Sequence, residues 1–79
     1  MSLLDIITPD SKLFSGEVTS VTLPGIDGDL GVLNNHAPLI TTLKVGEITI
    51  LKEGGETESF KTKGGIVEVL NNKVIVLAE

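Results

Sequence analysis

No cysteine, tryptophan, tyrosine or arginine occurs in this chain of 79 residues. Each absence removes a class of chemistry. Without cysteine there is no disulfide, no thiolate metal site and no indication of redox compartment. Without arginine the chain lacks the planar fork that grips phosphates and carboxylates through two bonds. Only Phe14 and Phe60 are aromatic, the six basic residues (Lys12, Lys44, Lys52, Lys61, Lys63, Lys73) are scattered, and the net charge is −5. Nucleic-acid binding calls for a basic stripe and stacking aromatics, so nucleic acid is not an expected partner. Apolar runs reach four or five residues at most, against the ~20 that span a bilayer. Met1-Ser2-Leu3-Leu4 runs straight into Asp5, unlike a signal peptide. Direct membrane insertion is therefore not expected, and any membrane association would pass through another subunit.

What the chain does have is apolar content. Hydrophobic residues make up 41% of it and the mean hydropathy is +0.32. A domain this small buries only ~60–65% of the surface its unfolded chain exposes. Either the surplus forms a valine- and leucine-rich β core, or part of it lies against a partner. The length fits one domain over residues 1–79.

No apolar stripe persists at helical spacing. Short β-type runs alternate with turn signals instead, predicting strands over residues 3–8, 13–16, 18–23, 29–33, 39–43, 47–51, 58–62, 66–70 and 73–78. Pro9-Asp10, Pro24-Gly25, Asn34-Asn35, Gly54-Gly55, Gly64-Gly65 and Asn71-Asn72 punctuate them. Many short, evenly spaced strands indicate an all-β sandwich or small barrel.

The segment "IVEVLNNKVIVLA" is the best-defined element. Asparagine tolerates positive φ, so Asn71-Asn72 suits a two-residue type I′ turn. That register pairs Val69 with Val74 and Val67 with Val76 on one face. Ile66, Leu77, Glu68, Ile75, Leu70 and Lys73 fall on the other. A hairpin apolar on both sides needs a cover for its second face. By contrast "ESFKTK" sets Ser59, Lys61 and Lys63 against Phe60 and Thr62, which reads as a solvated edge strand guarded by lysine.

The stretch "PGIDGDLGVLNNHAPLIT" gathers the candidate chemistry. Gly25, Gly28 and Gly31 follow neither the dinucleotide fingerprint nor the P-loop, and no helix start stands behind them to hold a phosphate. Asp27-Gly28-Asp29 lacks the ligands of a calcium loop, whose twelfth position falls on Pro38. His36 is the only histidine, with neither metal co-ligands nor a serine elbow, so it reads as a loop residue bonded locally. No catalytic residue, metal site or cofactor is expected. Biotinyl and lipoyl carrier domains are all-β and of similar length. They carry the modified lysine within Met-Lys-Met or Asp-Lys-Ala, neither of which flanks Lys73. A small carrier or ligand-binding module remains the alternative reading.

Three segments together carry a resemblance: "LFSGEV" (13–18), "LPGIDGDLGVLNNHAPLITTLKVGEITI" (23–50) and "GGIVEVLNNKVIVLA" (64–78). In order and spacing the chain resembles the N-terminal domain of the epsilon subunit of F-type ATP synthases. That resemblance implies a flattened ten-stranded β-sandwich of two five-stranded sheets. It implies a non-catalytic rotor subunit that fastens the gamma subunit of the central stalk to the c-ring loops of the membrane sector and couples proton transport to ATP synthesis. The implied location is peripheral, on the cytoplasmic face of a bacterial inner membrane or the equivalent face of an organelle membrane. Asp27, Gly28, Asp29 and Leu30 would meet the c-ring, with Asp29 standing where the family often has Glu. His36, Ala37, Pro38, Ile40 and Val76 would meet gamma, although the alternation of the last hairpin places Val76 with the core. The family usually continues into a helical hairpin that inhibits ATP hydrolysis and in some members binds ATP. This sequence stops where that hairpin would begin, so neither property is expected of it.

Overall fold

The computed structural model describes residues 2–33 and 37–79. Among them the regular structure is nine strands: β1 (Ser2–Ile7), β2 (Lys12–Val18), β3 (Ser20–Gly25), β4 (Gly28–Val32), β5 (Leu39–Leu43), β6 (Gly46–Leu51), β7 (Thr57–Thr62), β8 (Gly65–Leu70) and β9 (Lys73–Ala78). All nine predicted strands are present, two of them (β5 and β9) with the expected ends and the others with ends shifted by at most two residues. The body is flattened, 28 × 24 × 19 Å.

Hydrogen bonding follows one continuous path, β2-β1-β9-β8-β5-β3-β6-β7, with β4 beside β3. The path is nearly cut in the middle, because β5 and β3 share the single pair Gly25↔Leu43. That weak seam divides it into a five-stranded layer (β2-β1-β9-β8-β5) and a layer of β4, β3, β6 and β7. The first layer has the five strands the resemblance implied. The second has four among the described residues, where five were expected. All pairings are antiparallel except β1 with β9.

The core sits between the two layers. Leu4, Ile6, Val67, Val69, Val74 and Val76 point into it from the first layer, and Val21, Leu23, Ile48 and Ile50 from the second. They follow period-two alternation, since successive side chains of a strand leave on opposite faces. Fully burying each aliphatic side chain contributes about 1.5–3 kcal/mol.

The last hairpin has the predicted register, Val67↔Val76 and Val69↔Val74. Asn71 and Asn72 adopt φ 51° and 61°, the left-handed pair a type I′ turn requires. Gly65 opens β8 at φ 138°, opposite Ala78. A Cβ there would run into the Leu77 carbonyl, so the close approach of β8 to β9 depends on glycine.

Candidate functional site: two surfaces on opposite sides of one strand

The outward faces of the two layers differ in chemistry. On the β3-β6-β7 side, Thr22 stands opposite Thr49 and Thr49 opposite Ser59. The last two hydroxyls lie 3.3 Å apart. This face is mainly polar, with Glu47 opposite Lys61 in the next row.

The outward face of the five-stranded layer is largely apolar where β5, β8 and β9 meet, and more polar towards β1 and β2, where Asp5 stands beside Ile75 and Glu17 beside Leu3. Antiparallel register places Thr42, Ile66 and Leu77 in one row and Ile40, Glu68 and Ile75 in the next. Ile40 is 69% exposed, Leu77 51% and Ile66 47%. Two shallow depressions cut this face. One of about 200 Å³ is lined by Ile40, Ile66, Glu68, Ile75 and Leu77. Its neighbour of about 400 Å³ runs from Pro38 to Leu70. Ile40 and Glu68 border both. Contiguous exposed apolar surface of this kind is suited to docking by another molecule.

The second surface is the acidic tip joining β3 to β4. Gly25 pairs with Gly28 across Ile26 and Asp27, a two-residue turn that Gly28 permits by taking φ 129°. Asp27, Gly28 and Asp29 are exposed and Leu30 is half-buried. The turn is anchored sideways: the Ile26 N–H donates to the Thr42 carbonyl at 2.9 Å, and the Lys44 N–H donates to the Pro24 carbonyl at 2.8 Å. A depression beside the tip is lined by Asp27, Asp29, Leu39 and Thr41 among others. Leu39 and Thr41 flank Ile40 in sequence and leave β5 on the other face. The acidic tip and the apolar face thus lie on opposite sides of β5. Among the described residues, neither Asp27 nor Asp29 forms an ion pair.

Ala37 and Pro38 lead exposed into β5 and adjoin Ile40, so these three expected contact residues come together. His36 lies outside the described residues. Val76 needs correction. It has no exposed surface and packs in the core, so it presents nothing to a neighbouring chain. Its flanking residues Ile75 and Leu77 face outward in its place. The set drawn from the resemblance does not include Ile66, Glu68, Ile75 and Leu77, which share the outward face with Ile40. The signal for them was in the sequence, as the second apolar face of the last hairpin.

Among the described residues, no group of three or more His, Cys, Asp or Glu could hold a metal ion. Among those same residues, no helix is long and apolar enough to cross a membrane.

Comparison with known proteins agrees with this geometry. Residues 2–79 match the family model described as the ATP synthase delta/epsilon chain β-sandwich domain. The ATP synthase epsilon chain of Desulforamulus reducens is 46% identical over 76 residues, covering 96% of this chain and 57% of that one. The epsilon chain of Chlorobium limicola is also 46% identical over 76 residues, and there 86% of the relative is covered. A chain in the cryo-EM structure of the Euglena gracilis mitochondrial ATP synthase, comprising OSCP, F1 and c-ring, has the same fold. It superposes with a TM-score of 0.92 at 24% identity, covering 98% of this chain and 49% of that one. The chain therefore spans between about half of some relatives and most of others.

Proposed function

The chain belongs to the delta/epsilon β-sandwich family of ATP synthase, and on that premise we propose that it works as a non-catalytic subunit of the rotary central stalk. In this reading it joins the gamma subunit to the c-ring and so couples proton transport to ATP synthesis. It sits peripherally at the membrane, on the cytoplasmic face in a bacterium or the equivalent face in an organelle. The observation that carries the reading is the pairing of two unlike surfaces across β5. The apolar face around Ile40 suits a lasting contact with gamma, including Ala37, Pro38 and, in the segment preceding them, His36. The acidic tip of Asp27, Gly28, Asp29 and Leu30 suits a salt-sensitive contact with the polar loops of the c-ring.

A body gripped on two sides transmits torque without chemistry of its own. What it needs is a stiff frame, and a sandwich with a continuous apolar core supplies one. The test is reconstitution. Mixed with a catalytic head that contains gamma but lacks this subunit, the chain is expected to bind in equal proportion to gamma, and to restore ATP-driven proton pumping when membrane sectors are added. Failure to associate with a gamma-containing head would overturn the proposal.

A further inference from the structure

Glu68 is the carboxylate set among the apolar side chains at the centre of this face; Asp5 lies beyond Ile75 in the same row, and Lys73 lies diagonally across the β8–β9 hairpin beside Leu70. Glu68 projects outward from β8 between Ile40 on β5 and Ile75 on β9, and it is the only charged residue bordering either depression there. It is exposed, and among the described residues it enters no ion pair. In the free chain water solvates this carboxylate. Once a partner covers the face, that water leaves. Lys73, diagonal to Glu68 across the hairpin, makes no ion pair with it among the described residues, and a carboxylate buried here without a cation would cost enough to cancel much of the gain from apolar burial.

We infer that the surface seated on this face carries a lysine or arginine directed at Glu68, ringed by apolar side chains that fill the two depressions. The inference rests on the proposal that gamma occupies the face, and it deepens that proposal by assigning Glu68 as the residue that sets register. Apolar contacts around Ile40 hold the partner but do not fix its position, because aliphatic surfaces slide with little penalty. A buried carboxylate–cation pair has one geometry, and misplacement by a few ångströms leaves both charges stranded. For a subunit that turns with a shaft, fixed registration is what the contact must provide.

The test titrates the full chain and its variants onto the gamma-containing head lacking this subunit, with no c-ring present, at low and high salt. The acidic tip then has no partner, and any salt dependence reports the apolar face. Glu68→Gln keeps shape and polarity at an exposed position, so folding is retained. It is expected to bind at least about tenfold more weakly and to lose most of the salt dependence of the unaltered chain. Ile40→Asp, also at an exposed position, is expected to abolish binding. If Ile40→Asp abolishes binding while Glu68→Gln or Glu68→Leu binds as tightly as the unaltered chain or more so, the cation does not exist and the inference fails, with the gamma reading intact. If Ile40→Asp binds normally, this face is not the gamma surface and both fall.

Discussion

The rings of Phe14 and Phe60 lie with centroids 6.3 Å apart and planes tilted by 58°. Phe14 belongs to β2 and Phe60 to β7, the two strands at opposite ends of the hydrogen-bonded path. No ladder joins those ends, so the sheet closes on itself through side chains at this edge. Both rings pack against the buried core, in the tilted arrangement that aromatic quadrupoles favour. Lys52 spans the same seam. Its ammonium is 5.8 Å from the Phe14 centroid and 2.7 Å from a carboxylate oxygen of Glu58.

Replacing Phe60 by alanine should therefore loosen the closed edge as well as open a gap. Full burial would put the loss at about 3–5 kcal/mol. Half-buried rings warrant roughly 2 kcal/mol. A double-mutant cycle with Phe14→Ala should return a coupling of about 0.5–1.5 kcal/mol. Denaturant unfolding of the four chains measures both quantities. Strict additivity would mean that the two sheet ends do not support each other.

Glycines make a sharper contrast. Gly65→Ala meets both a forbidden φ and the Leu77 carbonyl, so it should cost more than about 3 kcal/mol or prevent folding. At Gly31 the space where a Cβ would go is open and φ is ordinary. Gly31→Ala should be neutral or stabilising by up to about 1 kcal/mol. Thermal unfolding of the two variants separates the cases. Equal melting temperatures would contradict the described approach of β8 to β9.

How far the sequence reaches depends on whether a feature is local. The Asn71-Asn72 turn and the Val67/Val76 register were legible because a two-residue turn fixes pairing by itself. The lysine-guarded β7 was legible as an edge, and it does terminate the path. The weak seam at Gly25↔Leu43 was not legible, since it joins residues eighteen apart with no local signal, and neither was the Phe14–Phe60 closure. At the site, the resemblance pointed to the acidic tip and Ile40, which are exposed, and to Val76, which is fully buried. There the alternation of the hairpin was the better guide: inward position and complete burial agree with the core face it assigned. Glu68 went unselected because one carboxylate in a strand looks like ordinary solvated surface until its neighbours across two ladders are known.

The Lys52–Glu58 contact makes a pH prediction. The hydrogen bond to the Glu58 carboxylate, against some opposing desolvation, holds the Lys52 ammonium above its usual 10.5. A folded pKa raised above the unfolded one means a stabilisation fully present below 10.5 and lost as pH rises through the folded value. The stability difference between the unaltered chain and Lys52→Met should thus be constant through neutral pH and shrink only in strong alkali. Being solvent-exposed, it should also shrink with salt. Denaturant midpoints measured across the alkaline range check this, and a difference that grew with pH would contradict the assignment.

The acidic tip should separate function from folding. Asp27 and Asp29 are exposed and, among the described residues, take part in no ion pair. Nothing in the free chain depends on their charge, and Asp27→Asn with Asp29→Asn should leave unfolding stability within about 0.5 kcal/mol. The proposed partner at this tip is a set of polar or basic loops, met in water rather than in a sealed interface. Exposed pairs contribute about 0.2–1 kcal/mol each, so the double substitution should weaken attachment to the membrane sector by about two- to tenfold while leaving affinity for the gamma-containing head unchanged. Raising the ionic strength should weaken the unaltered chain towards the variant, since screening and charge removal act on the same contact. Binding to isolated membrane sectors across a salt series, with proton pumping measured in parallel, reads out both effects. A variant that held the membrane sector as firmly as the unaltered chain at low salt would remove the tip from the coupling path, and with it the reason for placing two unlike surfaces on opposite sides of β5.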